Sequence, residues 1–390
     1  MPFDNVKNIL VIKLRHIGDV LLTVPVFRAL RQTFPDAHMA ALVNSGTDGV
    51  LSGNPLIDEI LLMDRGIKKL PKAKQYLKEM AFLRAIRARR FDMTVDLTGG
   101  DRAAIISLIS GARYRLGVRS QKGFLGKKYL YTHLSGPEGK RHTVFQDLEV
   151  TGQFGINTED LSVDFHIPEE DTAFIRQVFS ENNITGQDTL VHVHPTSRWL
   201  FKCWKDEYIA AVINRMSGMG MKVVVTSSPD KKEIEKTRNV LSLVSSRVID
   251  LTGRTTLKQL AAVSKASALF FGVDSAPMHI AAALGTPVIA LFGPSGAFHW
   301  GPWDNNQNTE VTSERRGSGS QESNTGQQAP YPKRNGVQAF GRHIVIQRDW
   351  DCIPCGKDGC NGSKIRKCLE DIKPEEIITL LEQRLKDMAK

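Results

Sequence analysis

Short apolar runs alternate with longer amphipathic segments in the first part of the chain. Four runs have the length and composition of buried strands and cover residues 8–14, 38–43, 60–63 and 93–97. Between them, residues 20–34 and 72–90 repeat apolar positions at helical spacing. Strands that alternate with helices build βαβ units and a parallel sheet. The pattern therefore predicts a doubly wound α/β domain.

The same alternation returns after a break at Pro168. A helix over 169–182 and a polar stretch lead into five further predicted strands, at 190–194, 222–226, 248–251, 268–271 and 288–292. The sequence thus predicts two Rossmann-like domains, over 1–168 and 187–373, with the cleft between them as the natural ligand site. The last segment, 374–390, is predicted to be a helix that packs back on the first domain.

Residues 304–341 depart from this alternation. They are rich in Asn, Gln, Ser and Gly and carry few aliphatic side chains. Such a composition cannot bury enough apolar surface to offset the entropy of ordering the chain. We therefore expect a flexible insertion in the second domain.

The basic residues lie unevenly along the chain. The net charge of the 390 residues is +10, yet Arg65–Arg90 carries ten Lys/Arg against one acid, and Arg113–Lys128 carries six and no acid. A positive field on the first half favours an acidic substrate, an anionic membrane surface or nucleic acid as its partner. No apolar run approaches a membrane span, and charges interrupt the N-terminal run, so we expect a cytoplasmic protein.

The stretch Ala268–Gly285 reads as a strand, a tight turn and the start of a helix. Asp274 and Ser275 occupy the predicted N-cap region, followed by Ala276, and His279 falls one turn into the helix. Backbone N–H groups and a partial positive charge at such a helix start favour an anion, most often a phosphate. The plainer alternative is that Asp274 only caps the helix and His279 only packs.

Several nucleotide-binding and catalytic signatures are absent from the sequence. It contains no Walker loop, no G-x-G-x-x-G after the first strand and no G-x-S-x-G elbow. The remaining candidates for a functional site are polar residues at the ends of predicted strands. Asp19 follows the first strand, where it caps the next helix or serves as a general base. Thr196, Ser197 and Lys202 follow the strand 190–194, either as an ordinary turn with a solvated lysine or as part of an anion site.

Four of the five cysteines cluster near the C-terminus, at Cys352, Cys355, Cys360 and Cys368. Thiolates in a cytosolic protein ligate zinc when their spacing permits a tetrahedral site. This spacing is irregular and includes no histidine. A zinc site and a set of reduced structural thiols both remain open.

Three stretches of the chain resemble the lipopolysaccharide heptosyltransferases of glycosyltransferase family 9. They are VIKLRHIGDVLLTVPVFRALRQTFPDAHM, HPTSRWLFKCW and FFGVDSAPMHIAAALGTPVIALFGPS. HPTSRWLFKCW, GAFHWGPWD and CIPCGKDGC look most like the heptosyltransferase III branch, which adds the third inner-core heptose. The resemblance implies an α/β GT-B fold, with the acceptor on the first domain and ADP-heptose on the second.

The resemblance also implies roles for site residues. Asp19 matches the general base of an inverting transfer. Lys202, Thr196, Ser197 and the helix start at Ser275–Ala276 would stabilise the ADP leaving group without a metal and without a cofactor.

Asp274 matches the residue that holds the sugar hydroxyls, and His279 lies near the phosphates. Two departures from the family pattern limit this transfer of roles. Ser275–Ala276 stands where Thr-Gly is common. Lys231 and Lys232 stand near the place of a ribose-binding glutamate, for which Glu233 would substitute.

The implied partners are ADP-L-glycero-D-manno-heptose, a phosphorylated inner-core lipopolysaccharide acceptor and the anionic inner face of the inner membrane, but no nucleic acid. The enzyme would then be cytoplasmic and peripheral on that membrane. Two other functions remain open: another nucleotide-sugar transferase or epimerase on this fold, and a non-catalytic two-lobed protein that binds a phosphorylated sugar.

Overall fold

A computed structural model describes residues 3–119, 123–136, 141–307, 330–355, 357, 359–363 and 365–388. The chain divides into two compact units, the first ending at His166 and the second beginning at Ile167. The helix after Pro168, which the sequence pattern left between two domains, belongs to the second unit. The described residues from Pro330 onward belong to the second unit as well.

The first unit is built on a six-stranded parallel sheet. Its strands are β1 (Asn8–Lys13), β2 (His38–Asn44), β3 (Glu59–Met63), β4 (Met93–Asp96), β5 (Tyr114–Val118) and β6 (His133–Ser135). Their order is β3-β2-β1-β4-β5-β6, so the chain doubles back at β1. Its helices are α1 (Ile17–Leu21), α2 (Val24–Thr33), α3 (Lys72–Ala88), α4 (Asp101–Ser110) and α5 (Thr143–Gly152).

The second unit repeats this plan with seven strands. They are β7 (Leu190–His194), β8 (Lys222–Ser227), β9 (Ile249–Thr252), β10 (Leu269–Val273), β11 (Val288–Phe292), β12 (Gly336–Phe340) and β13 (His343–Gln347). The order is β12-β13-β11-β10-β7-β8-β9, and only β12 runs antiparallel to its neighbour. Its helices are α6 (Glu169–Glu181), α7 (Asp206–Gly218), α8 (Lys231–Ser242), α9 (Leu257–Ala266), α10 (Ala276–Ala283), α11 (Ala297–Trp300), α12 (Lys367–Glu370) and α13 (Pro374–Met388).

The predicted fold class is confirmed, because both units are doubly wound α/β sheets. The strands that form the centre of the second sheet, β7, β10 and β11, are buried along their whole length. This burial explains their nearly continuous apolar sequences. The carboxyl ends of these three neighbouring strands meet at one edge of the sheet, where ligands of open α/β folds bind.

The prediction that residues 304–341 form a flexible insertion is wrong at both ends of this segment. Asp304 and Tyr331 are buried, and Tyr331 donates its hydroxyl proton to the Pro302 carbonyl at 2.7 Å. Residues 336–340 form β12, whose alternation of Val337 and Gln338 gives only a weak strand signal. The most polar part of the predicted insertion, residues 308–329, lies outside the described residues.

The C-terminal helix α13 packs on the second unit, which corrects the expectation that it packs on the first. Ile377 and Leu381 are buried in one apolar cluster with Trp204. The Trp204 indole donates to the carbonyls of Leu369 and Ile372 at 2.9 and 3.2 Å, just before the helix begins. Burial of this apolar stripe against α7 is what stabilises the helix. None of the helices in the described ranges combines the length and apolarity that a bilayer crossing requires.

Candidate functional site

The carboxyl edge of the second sheet brings Lys202 and Asp274 together. Asp274 directly follows β10, and Lys202 ends a short 3₁₀ turn, Leu200–Lys202, after the neighbouring strand β7. The Lys202 Nζ atom lies 2.6 Å from Asp274 Oδ2. Ser295, which follows β11, donates its hydroxyl proton to the same carboxylate oxygen. Two residues that the sequence predicted at one site therefore touch, and Ser295 is a third member that the sequence analysis missed.

The helix start next to this ion pair differs from the prediction in one respect. The N-cap of α10 is Ser275, and no side chain makes the capping hydrogen bond. The expectation that Asp274 caps the helix is wrong, because its carboxylate accepts hydrogen bonds from Lys202 and Ser295 instead. The buried Ser275 Oγ atom has no hydrogen-bond partner among the described residues. Buried polar atoms are nearly always paired, so the unpaired Ser275 oxygen at this helix start is a candidate contact for a ligand.

Ala276 and His279 both lie in α10, the helix that the sequence predicted after Ser275. Ala276 begins α10 and is partly exposed beside Ser275. His279 is 5% exposed, one turn into the same helix. Ser197 is also buried, and its hydroxyl accepts from the Trp199 backbone N–H at 3.4 Å.

Thr196 belongs to a buried hydrogen-bonded row rather than to the exposed edge. Its hydroxyl donates to Glu233 Oε2 at 2.8 Å and lies 3.4 Å from His194 Nε2. His194 Nδ1 lies 2.8 Å from Thr226 Oγ1. Thr196 and Thr226 are fully buried, and Glu233 is 6% exposed. The structure thus joins Thr196 to Glu233, but it turns the Thr196 hydroxyl away from the position that the sequence analysis gave it.

The row continues into the middle of the sheet through His192. Its Nε2 lies 2.7 Å from Thr226 Oγ1 and its Nδ1 lies 2.8 Å from Ser264 Oγ. Burial lowers the pKa of His194 to about 3 and lowers the pKa of His192 well below 6.5. Both imidazoles are therefore neutral at physiological pH, and each has one donor and one acceptor nitrogen.

The hydrogen bonds of this row all point the same way. Thr196 gives its single hydroxyl proton to Glu233, so it accepts from the Nε2–H of His194. The neutral His194 then accepts at Nδ1 from the Thr226 hydroxyl, which in turn accepts from the Nε2–H of His192. Such a chain polarises its members cooperatively and holds the Glu233 carboxylate in one position.

Asp19 stands at the carboxyl end of β1 in the first unit. It lies in the first turn of α1, half-buried, and its Oδ2 accepts from the His16 backbone N–H at 3.2 Å. The capping role predicted for Asp19 is therefore present. A carboxylate that caps a helix start through one oxygen can still accept a proton at the other.

A buried ion pair lies close to Asp19. Lys13 Nζ, at the end of β1, lies 2.7 Å from both carboxylate oxygens of Asp147 on α5. Burial raises the pKa of Asp147 to about 6; the Lys13 ammonium opposes this shift, and the negative charge of Asp19 adds to it. Sequence analysis missed this pair, although a lysine at the end of an otherwise apolar strand was a signal for it.

The structure places the four C-terminal cysteines in the second unit. All four are free thiols, exposed at Cys352, partly exposed at Cys355 and Cys360 and buried at Cys368. Burial raises the pKa of the Cys368 thiol to about 11, and the nearby Cys360 adds to the shift. In the part of the chain that the structure describes, no three His, Cys, Asp or Glu side chains are placed to hold a metal ion.

Two doubly wound α/β sheets in one chain define the GT-B fold. The chain belongs to glycosyltransferase family 9 (heptosyltransferase), whose sequence profile matches residues 80–328. It is 33% identical to lipopolysaccharide heptosyltransferase 3 of Escherichia coli over 299 residues, which cover 75% of this chain and 85% of that protein. The predicted family and its heptosyltransferase III branch are confirmed by these matches.

Solved structures support the same fold. The structure of E. coli ADP-heptose lipopolysaccharide heptosyltransferase II matches with a TM-score of 0.71 and 18% identity, covering 98% of this chain and all of that one. The structure of E. coli heptosyltransferase WaaC with ADP-2-deoxy-2-fluoro heptose matches with a TM-score of 0.59 and 17% identity, covering 79% and 99%. At these identities, the matches establish the fold of this chain.

Proposed function

We propose that this enzyme transfers L-glycero-D-manno-heptose from ADP-heptose to the inner core of lipopolysaccharide, as the third heptose, on the second heptose. The observation that carries the proposal is the Lys202–Asp274 contact beside the open helix start at Ser275. A sugar diphosphate binds a cation and the N–H groups of a helix start through its phosphates, and its sugar hydroxyls donate to a carboxylate. The named activity of the E. coli relative supports the acceptor.

On the donor side, Asp274 and Lys202 have different proposed roles. Asp274 accepts hydrogen bonds from hydroxyls of the heptose. Lys202 and the helix start at Ser275–Ala276 stabilise the negative charge that gathers on ADP as the glycosidic bond breaks. His279, inside the same helix, lies behind the phosphates, and Ser197 supports the turn that carries Lys202.

Glu233 is proposed to accept hydrogen bonds from the ribose hydroxyls. The Thr196 hydroxyl already donates to Glu233 at 2.8 Å, so we assign Thr196 to holding this carboxylate rather than to binding the diphosphate itself. This assignment changes the role that the sequence suggested for Thr196, and it keeps both residues in the donor site.

On the acceptor side, Asp19 is the proposed general base. Its carboxylate takes the proton from the acceptor hydroxyl while that oxygen forms its bond to the anomeric carbon of the heptose. The bond from the anomeric carbon to ADP breaks as the new bond forms on the opposite face. The β-linked donor therefore gives an α-linked product, with ADP as the leaving group and the proton on Asp19.

We propose that the reaction needs no divalent metal, because Lys202 and the helix start supply the positive charge that a metal would provide.

We also propose that the enzyme is cytoplasmic and peripheral on an anionic membrane. Tyr76 and Leu77 are each 66% exposed on α3 among its lysines and arginines, which supports contact with such a surface.

Lipopolysaccharide from a strain that lacks this gene tests the position of the heptose. Mass spectrometry is expected to show a core that lacks one branch heptose, restored by the wild-type gene and not by Asp19→Asn. A core with an intact branch heptose would overturn the assignment of the step. For the metal, purified enzyme treated with EDTA is expected to keep its full rate, and loss of activity that Mg²⁺ restores would contradict the metal-free mechanism.

A further inference from the structure

A pocket of about 380 Å³ lies in the second unit beside the Lys202–Asp274 pair. Its lining includes Trp199, Phe201, Lys202, His299, Trp300 and Pro354. Binding sites for small molecules commonly have volumes from about 300 Å³ upward and walls of aromatic side chains with a few polar groups. The proposed roles of Asp274, Ser275 and Glu233 make no use of these aromatic walls.

The walls come from three separate stretches of sequence. Trp199 and Phe201 lie in HPTSRWLFKCW after β7, Trp300 lies in GAFHWGPWD after β11, and Pro354 lies in CIPCGKDGC. The fold therefore gathers into one pocket three segments that are distant from one another in the sequence.

One backbone hydrogen bond links two of these stretches, and a ring contact orders the third. The Cys355 N–H donates to the Pro294 carbonyl at 2.9 Å, and this bond fixes Pro354 beside the loop that follows β11. The Trp199 and Phe201 rings lie 6.0 Å apart with an angle of 35° between their planes. The pocket thus has one broad aromatic side and, at its edge, the Lys202 ammonium and the Ser295 hydroxyl.

We infer that this pocket binds the pyranose ring of a sugar substrate. A pyranose has an apolar face of C–H groups, which packs on aromatic rings, and a rim of hydroxyls, which seeks charged and polar partners. Trp199 and Trp300 supply the aromatic surface, and Lys202 lies at the rim. The volume accommodates one monosaccharide and a few waters. The inference rests on the proposed function and adds to it the residues that select the sugar.

Two sugars of the reaction have this chemistry: the heptose of the donor and the saccharide of the acceptor. The experiment therefore measures KM for each with Trp199→Ala and Trp300→Ala, together with the Kd for ADP. Trp350→Ala serves as the matched control, since Trp350 is a partly exposed aromatic of the same unit that does not line the pocket. Because Trp199 is 42% exposed, Trp199→Ala is the variant that costs less folding stability. Trp300→Phe tests whether a smaller aromatic ring restores KM.

We expect KM for one sugar substrate to rise about tenfold, which corresponds to about 1.4 kcal/mol. The Kd for ADP and the kinetics of Trp350→Ala should stay within twofold of wild type, and Trp300→Phe should recover most of the loss. A rise for ADP-heptose assigns the pocket to the donor heptose. A rise for the lipopolysaccharide acceptor assigns it to the acceptor saccharide. Unchanged KM values, or an equal rise in the Kd for ADP, would overturn the inference.

Failure of the proposed function gives a different result. A wild-type enzyme that transfers no heptose refutes the function, whereas active variants with unchanged KM values refute only the pocket. If the wild type is inactive, saturation-transfer NMR with methyl L-glycero-D-manno-heptoside tests the pocket directly. Signal transfer to the sugar from wild type and its loss in Trp300→Ala supports the site, and no transfer from wild type contradicts it.

Discussion

The Lys202 ammonium and the Asp274 carboxylate meet at 2.6 Å, although 72 residues separate them in the sequence. The Asp274 side chain is 8% exposed and that of Lys202 is 22% exposed. A carboxylate so little hydrated needs a partner, and this partner also faces the proposed diphosphate position. In the proposed mechanism, the donor phosphates and the Asp274 carboxylate would share the same cation. The contact would then couple recognition of the sugar to stabilisation of the leaving group.

The first prediction concerns Lys202→Ala. In the proposed mechanism, loss of the ammonium removes one group that stabilises the departing ADP. Such losses typically lower the rate by about 10²–10³-fold. We expect kcat to fall by that factor in a transfer assay that follows ADP release.

The matched control for this variant is Lys205→Ala. Lys205 is a nearby lysine of the same unit, 39% exposed, and it pairs with Glu370 at 3.6 Å. Its loss should leave kcat within twofold of wild type, because exposed ion pairs contribute little. Equal rates for the two variants would remove Lys202 from the mechanism.

The second prediction concerns Asp19→Asn. The amide keeps the size and the capping oxygen of the side chain but cannot accept the proton of the acceptor hydroxyl. We expect transfer to fall at least about 10²-fold, while calorimetry shows ADP binding with an unchanged Kd. Transfer at the wild-type rate would show that another group is the base. A lost affinity for ADP would show that Asp19 belongs to the donor site instead.

The centre of each sheet was predictable because the central strands are buried along nearly all of their length. Runs such as Val288–Phe292 are apolar throughout, and the intervening helices repeat apolar residues at helical spacing. Strand β12 was missed because Gln338 is buried in an edge strand beside the polar segment, where alternation is too short to stand out. A periodic pattern of apolar residues shows that one face of an element is buried, but it does not show which neighbouring element covers that face.

The site was predictable in its residues but not in its contacts. Asp274 and Lys202 stand at strand ends, and the sheet brings those ends together. Ser295 offered no signal of its own, and the buried links of Thr196 to Glu233 and to His194 depend on side-chain directions that spacing does not give. Lys13 was visible as a charge in an apolar strand, but its partner Asp147 lies 134 residues away.

The third prediction is a loss of stability in acid that arises from His192 and His194. Both have a folded-state pKa below the ordinary value of 6.5, so the unfolded chain binds more protons between pH 6.5 and about 3. The free energy of unfolding therefore falls as pH drops through this window, by at most about 1.4 kcal/mol per pH unit for each histidine. From pH 7.0 to 5.5, each should contribute a loss of about 1 kcal/mol.

Urea unfolding followed by tryptophan fluorescence measures this loss in the second unit alone. All five tryptophans lie in that unit, at Trp199, Trp204, Trp300, Trp303 and Trp350. The double variant His192→Gln/His194→Gln should lose about 2 kcal/mol less than wild type between pH 7.0 and 5.5. Parallel pH dependences would show that the two imidazoles are not held neutral.

The fourth prediction concerns the buried Lys13–Asp147 pair. Asp147→Ala leaves an ammonium without a partner inside the first unit, which typically costs about 3–5 kcal/mol. The double variant Lys13→Met/Asp147→Leu removes both charges and should be more stable than either single variant. Hydrogen exchange of β1 and α5, measured by mass spectrometry, reports the difference. Equal protection in the single and double variants would mean that the pair is not buried.

The most direct test of the proposed activity is transfer by the purified protein. The reaction contains ADP-L-glycero-D-manno-heptose and truncated-core lipopolysaccharide, and mass spectrometry follows the acceptor. We predict that the acceptor gains the mass of one heptose, that ADP appears in equal amount, and that neither happens without the acceptor. An unchanged acceptor with ADP-heptose, together with transfer from a UDP-sugar, would contradict the account.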